Sequence, residues 1–279
     1  MDKKHIVVAM AGNPNVGKSA IFNALTGKRQ HVGNWPGKTI KRAEGVFFHG
    51  GWEIHIVDLP GTYSLAAQSP EEVVARDFIV SYEPDVVLNV VDATNLERNL
   101  NLTSQVMELT NKVVVALNLM DEVVRHGLEI DIAHLENSLG VPVVPTVATE
   151  GKGLQKLADS IIAVAEGSQH THPTSVDYGL TIDGNVQSLA EDLARLGVNG
   201  RRHWIALKLL EDDPEIAKAL KDGDLSDCFL KHNAPKISAE SLQGVLQRAI
   251  RLREATQPDA RVEIVRRRFE FAHDIVHST

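Results

Sequence analysis

Gly12-Asn13-Pro14-Asn15-Val16-Gly17-Lys18-Ser19 fits the pattern G-x-x-x-x-G-K-[ST], and its surroundings decide the fold. The apolar run Ile6 to Ala11 precedes it, and the helix-like Ala20-Ile21-Phe22-Asn23-Ala24-Leu25 follows. A strand that ends in a glycine-rich turn and opens a helix is the setting in which this pattern cradles phosphate. Successive N–H groups of the curled backbone point at phosphate oxygens, Lys18 reaches the β- and γ-phosphates, and the Ser19 hydroxyl is placed to ligate Mg²⁺. Residues Gly12 to Ala20 are therefore the expected triphosphate site, with Lys18 as its catalytic cation.

Outward from this loop, short apolar runs alternate with helical patterns. Ile6 to Ala11, Val86 to Val91, Val113 to Leu117 and Val141 to Val144 each read as a buried parallel strand, which predicts an α/β fold. Gly45 to His49 and Trp52 to Val57 flank Gly50-Gly51, a pair suited to a tight hairpin turn, so one edge of the sheet should be antiparallel. Beyond Glu166 the texture changes: Gly167 to Ser175 is polar, breaker-rich and without periodicity. After it apolar residues recur at helical spacing, as Val186, Leu189, Leu193 and Leu196, then Trp204, Leu207 and Leu210. Helix stops are expected at Leu196-Gly197, Asp213-Pro214 and around Lys221 to Asp224. The expected organisation is a P-loop domain of Ras-like type over residues 1–167, a linker over 168–178 and a small all-α domain over 179–279.

Two further tetrapeptides narrow the nucleotide. Asp58-Leu59-Pro60-Gly61 ends the strand Ile54 to Val57 in a D-x-x-G pattern, which places Asp58 to hold Mg²⁺ through water and the Gly61 N–H to sense a γ-phosphate. Asn118-Leu119-Met120-Asp121 follows the strand Val113 to Leu117 and fits N-x-x-D. The Asp121 carboxylate can accept hydrogen bonds from both N1–H and the exocyclic amine of guanine, whereas adenine offers no such pair of donors. Leaving that carboxylate desolvated and unpaired is the basis for rejecting ATP. Val147-Ala148-Thr149 then follows the strand Val141 to Val144, where the Ala148 N–H can reach the guanine carbonyl.

Between the P-loop helix and the hairpin lies His31-Val32-Gly33-Asn34-Trp35-Pro36-Gly37-Lys38-Thr39, too rich in glycine and proline for regular structure. A mobile loop carrying one threonine suits a nucleotide switch, because Thr39 can reach Mg²⁺ and the γ-phosphate and release them after hydrolysis. Trp35 also reads as a simple hydrophobic anchor. The position after Gly61 is Thr62, which cannot orient water in the bidentate way a glutamine does, so intrinsic hydrolysis should be slow.

With the P-loop, Val32 to Thr39, Asp58 to Leu65 and Val91 to Leu100 in view, the chain resembles the cytosolic N-terminal part of FeoB, the prokaryotic ferrous iron transporter family; Arg202 to Glu211 is similar to that family's helical domain. The resemblance implies a G domain joined to a helical domain that stabilises the GDP-bound state and connects onward to a membrane-spanning Fe²⁺-carrying part. It implies a place on the cytoplasmic side of the prokaryotic inner membrane. It also implies a K⁺ beside the phosphates, held by Asn15 and by the backbone carbonyls of Gly33 and Trp35. Such an ion would do the work of an arginine finger. On the residues alone Asn15 also fits a loop-turn role.

Composition bounds the alternatives. With 29 Lys plus Arg against 37 Asp plus Glu, the net charge of −8 argues against a broad nucleic-acid-binding face. No apolar run reaches the roughly 18 residues a membrane span needs, so the chain reads as soluble. The single cysteine, Cys228, excludes an internal disulfide and fits a reducing compartment. His170, His172, His203, His232, His273 and His277 lack ligand spacing apart from the i,i+4 pair His273 and His277, so no iron ligand is expected in this chain. A GTPase that regulates iron uptake is the leading reading, with self-association left open. A GTP/GDP sensor with little turnover and an RNA-associated ribosome-assembly GTPase are the competing ones.

Overall fold

The computed structural model describes residues 4–27, 30–198, 200–223, 225 and 237–278; Asp224, Cys228 and His232 lie outside the described residues. By internal packing the chain forms two units. The first runs to Ser175 and includes the chain from Ala272 onward; the second is Val176–Phe271.

The first unit is built in the order β1 (Lys4–Gly12), α1 (Lys18–Thr26), β2 (Gln30–Asn34), β3 (Lys41–His49), β4 (Trp52–Asp58), α2 (Pro70–Tyr82), β5 (Val86–Asp92), α3 (Leu96–Leu109), β6 (Val113–Asn118), α4 (Met120–Arg125), α5 (Ile132–Leu139), β7 (Val143–Pro145) and α6 (Leu154–Glu166). Its seven strands form one sheet in the order β2-β3-β4-β1-β5-β6-β7. β1 pairs in parallel with both β4 and β5, and β6 and β7 continue the parallel run. β3 is antiparallel to β4 across the Gly50-Gly51 turn, where φ is 54° and 81°. The sheet is thus mostly parallel with one antiparallel edge, as the alternating apolar runs and the glycine pair dictate.

Period-two alternation separates the two faces of the central strands. Ile6, Val8 and Met10 of β1 join Ile54 and Ile56 of β4 beneath Ile21 and Phe22 of α1 and Leu157 and Ile161 of α6. Each such side chain, fully withdrawn from water, contributes roughly 1.5–3 kcal/mol. The central position of β1 therefore fixes where its carboxyl end, and the loop that follows, must sit.

One expectation is corrected here. The segment after α1 is regular over Gln30–Asn34: it is an edge strand, with Val32 opposite Ala43 and Gly33 opposite Arg42. All five residues are exposed, so side-chain burial does not hold the strand; the backbone ladder to β3 does. The breakers act only past Asn34, where Gly37 takes φ 68° and the Lys38 N–H closes onto the Trp35 carbonyl at 3.0 Å.

The second unit contains α7 (Leu180–Arg195), α8 (Arg202–Leu210), α9 (Pro214–Asp222), α10 (Ala239–Ala255) and most of α11 (Ala260–Ser278), with α10 packed on α7, α8 and α9. Asp213 starts α9 by accepting from the N–H groups of Glu215 and Ile216 at 3.0 and 3.1 Å, with Pro214 preset for a first helical turn. Gly223 stops it with φ 73°.

Candidate nucleotide site

The P-loop emerges from β1 at the carboxyl end of the parallel strands, the place where open α/β sheets bind ligands. Two glycines are there for space. A Cβ on Gly12 would lie 2.6 Å from the Val90 carbonyl oxygen, and one on Gly17, where φ is 82°, would lie 2.2 Å from the Asn118 side-chain nitrogen. Asn15 sits exposed at the loop's apex with φ 68°, a left-handed conformation asparagine tolerates better than most residues. Its turn role is therefore realised in the backbone.

The D-x-x-G segment lies directly against this loop. The Leu59 N–H donates to the Met10 carbonyl at 3.0 Å and the Thr62 N–H to the Gly12 carbonyl at 3.3 Å, while Gly61 approaches Pro14 so closely that a Cβ would meet its backbone at 3.3 Å. Thr62 is itself buried. Lys18 forms an ion pair with Asp58 and donates to the Leu59 carbonyl at 2.7 Å. Burial pushes the Asp58 carboxyl above its usual range, and the Lys18 charge and hydrogen bond only partly oppose that push. Ser19, at the start of α1, is exposed.

Asn118 proves to be a strut. Wholly buried, it donates to the Val16 carbonyl at 3.0 Å and accepts from the Thr146 hydroxyl at 3.1 Å and the Ala148 N–H at 3.2 Å. It therefore clamps the P-loop to the loop holding Val147, Ala148 and Thr149. The Ala148 N–H, expected to reach the guanine carbonyl, here donates to Asn118. Leu119 is held at φ 64°, costly for a branched residue, and this turn delivers Asp121 to the first turn of α4. There the Asp121 Oδ1 atom is buried with no hydrogen-bond partner.

The segment after Asp58 is fastened by residues the sequence reading passed over. Glu72 of α2 accepts from the Ser64 hydroxyl at 2.7 Å and the Gln68 N–H at 2.8 Å, and Gln105 of α3 accepts from the Leu65 N–H at 2.9 Å. Ser69-Pro70-Glu71-Glu72 was a legible signal, since S-x-x-E marks a helix start; Ser69 does accept from the Glu72 N–H at 3.2 Å. Gln105 carried no such mark. On the other side, Trp35 is buried edge-on against Phe78 at 5.5 Å, with the Arg42 guanidinium over its ring at 4.7 Å, so the anchor reading describes it. Its carbonyl accepts from Lys38, Gly33 stands in β2, and Thr39 is exposed on the turn.

Residues 6–161 match the family described as ferrous iron transport protein B, and residues 178–279 match the FeoB cytosolic helical domain. The chain belongs to the FeoB family. It is 45% identical over 218 residues to the Fe(2+) transport protein A/Fe(2+) transporter FeoB fusion protein of Porphyromonas gingivalis, covering 76% of this chain and 26% of that protein. To the Fe(2+) transporter FeoB of Escherichia coli it is 40% identical over 214 residues, covering 75% and 27%. It thus spans about a quarter of the length of these curated FeoB relatives. Among solved structures, the cytosolic domain of the T. maritima FeoB iron transporter in apo form is similar at 34% identity, with 98% of each chain covered and a TM-score of 0.79. The same domain in GMPPNP form gives 34%, 98% of each chain and 0.80, and the cytosolic domain of L. pneumophila FeoB gives 33%, 98% of each and 0.79. Of the FeoB signature segments read from the sequence, the P-loop and the segment after Asp58 meet at the carboxyl end of this sheet.

Proposed function

We propose that this chain binds and hydrolyses GTP as the cytosolic switch of a ferrous iron transporter, with slow intrinsic turnover raised by K⁺. The observation that carries the reading is the Oδ1 of Asp121, buried without a hydrogen-bond partner three residues after the P-loop strut Asn118. An orphaned carboxylate oxygen costs free energy until paired donors reach it, and guanine offers two. The GDP and GMPPNP forms of the T. maritima domain support nucleotide binding by the same fold.

The donor set fits Mg²⁺: the hydroxyls of Ser19 and Thr39 and the Asp58 carboxylate acting through water are hard oxygens. When bound, the ion neutralises charge on the β- and γ-phosphates. Lys18 exchanges its contact with Asp58 for phosphate oxygens, and the Gly61 N–H meets the γ-phosphate. With Thr62 buried, the position after Gly61 supplies no water-orienting side chain, and charge stabilisation dominates the rate. Asn15 with the Gly33 and Trp35 carbonyls is the proposed K⁺ site, which requires β2 to release its edge position. Fe²⁺ is the cargo of the membrane-spanning part, on whose cytoplasmic face this chain acts as the regulator.

The test is Asp121→Asn, measured with GTP, XTP and ATP in K⁺ and in Na⁺ buffer. Two charge-assisted hydrogen bonds at about 1.5–3 kcal/mol each predict a loss of GTP affinity of at least 10²-fold. XTP, whose carbonyl matches the new amide, should recover part of it. The wild-type chain should turn over faster in K⁺ than in Na⁺. Unchanged GTP affinity in the variant would overturn the guanine assignment, and equal rates in the two salts the K⁺ assignment.

A further inference from the structure

The opposite end of the sheet carries a second constellation. In the parallel pairing of β1 with β4, His5 stands opposite Glu53 and Val7 opposite His55. Alternation puts His5, Glu53 and His55 on one face, while Ile6 and Ile54 point into the core on the other. One ligand atom from each of the three residues lies within 4.8 Å of the other two. His55 Nε2 is 3.4 Å from Glu53 Oε1, and the two imidazoles lie 4.6 Å apart between ring centres.

This geometry has a chemical reading. Tetrahedral metal–nitrogen and metal–oxygen bonds of about 2.0–2.2 Å place neighbouring donor atoms about 3.4 Å apart, the separation already found between His55 and Glu53. His5 is exposed and can rotate in to complete the triangle. Two imidazoles and one carboxylate suit Zn²⁺, Co²⁺ and Fe²⁺, and they discriminate against Mg²⁺ and Ca²⁺, which prefer all-oxygen shells. Lys4, next in sequence, does not oppose a cation there: its ammonium lies over the Trp52 ring, on the other face of the pair. The partly open setting leaves room for water in the remaining coordination positions.

We propose that His5, Glu53 and His55 form a binding site for one divalent first-row transition-metal ion, at the amino end of β1 and β4. Gly12 lies seven residues beyond His5 along β1, about 23 Å at the rise of a strand, so the site is distinct from the P-loop and the Mg²⁺ proposed there. The pairing that creates it is long-range, which is why the spacing of histidines along the chain does not show it.

The test uses the whole chain in buffer with excess Mg²⁺, titrated with Co²⁺ by visible absorption and with Zn²⁺ by calorimetry. One ion per chain is expected. Even outer-shell partners of bound metals change affinity by about 10–100-fold, so His5→Ala and His55→Gln should each weaken binding at least tenfold. His5→Ala, at an exposed position, keeps the fold if His55→Gln does not. Zn²⁺ should raise the melting temperature of the wild type and not of His5→Ala. The pair His273 and His277, whose tilted rings lie 4.0 Å apart, is the control: His273→Ala should leave binding unchanged. Affinity unaltered by His5→Ala, or lost only in His273→Ala, would overturn the proposal.

Discussion

Two lysine–carboxylate pairs, a half-buried one in the first unit and a buried one in the second, have opposite characters. In the first unit Lys18 meets Asp58, one cation against one anion, and burial outweighs the pairing so that the carboxyl is pushed up. In the second, Glu211 lies between Lys208, at 2.7 Å, and Arg268, whose guanidinium also donates to the Tyr178 hydroxyl at 2.9 Å. Burial pushes Glu211 up as well, but two cations and their hydrogen bonds overcome it and hold the carboxyl at about 2. The difference teaches what each cluster is for. A carboxylate with two fixed cations is a completed structural tie. One whose single cation leaves it under-compensated is ready to exchange partners, which the proposed phosphate and Mg²⁺ site requires.

The largest expected effect breaks the structural tie. Glu211→Gln removes the anion that pairs with both Lys208 and Arg268, whose side chains are 1% and 3% exposed. Removing one partner of a buried ion cluster costs about 3–5 kcal/mol. Urea denaturation should show the loss as a lower midpoint; a change under about 1 kcal/mol would mean that the cluster is no more than the Lys18 pair in another place.

Next comes the exchangeable pair. Lys18→Ala should lower kcat for GTP by about 10²–10³-fold, the scale for removing one preorganised donor from developing charge. Stability should move far less than in Glu211→Gln, because the Lys18 charge only partly opposes the burial penalty on Asp58. A large loss of stability with hydrolysis intact would reverse the comparison.

How much of this was legible beforehand depends on whether the signal was local. Gly12 to Ser19, Asp58 to Gly61 and Asn118 to Asp121 are contiguous motifs at strand ends, so both the sheet and the loops around the site could be read. The inward role of Asn118 could not, because its partners Val16, Thr146 and Ala148 are distant in sequence. Nor could β2: propensity counts glycine and valine in an exposed pentapeptide as loop, while the open edge of β3 supplies the ladder that orders it. In the second unit periodicity gave α7 and α8, but Glu211 with Arg268 is a tertiary pairing between α11 and the end of α8, invisible to helical spacing.

Acid titration sharpens the comparison most finely, because the two carboxyls have opposite signs. Glu211 is depressed, so its contribution is present above its ordinary value of 4.5 and lost as pH falls toward about 2, on the order of 3 kcal/mol across that window. Asp58 is raised, so its contribution is present below 3.8 and lost as pH rises through its elevated value. Melting curves of the wild type, Glu211→Gln and Asp58→Asn should be recorded in steps through the carboxylate range. The gap between wild type and Glu211→Gln should narrow on acidification. That between wild type and Asp58→Asn should shift, by a smaller amount, in favour of the wild type. If both gaps narrowed together, Asp58 would be a stabilising ion-pair member like Glu211, and the Lys18 contact would be a tie that phosphate must break at a cost, with no under-compensated carboxyl to favour the exchange.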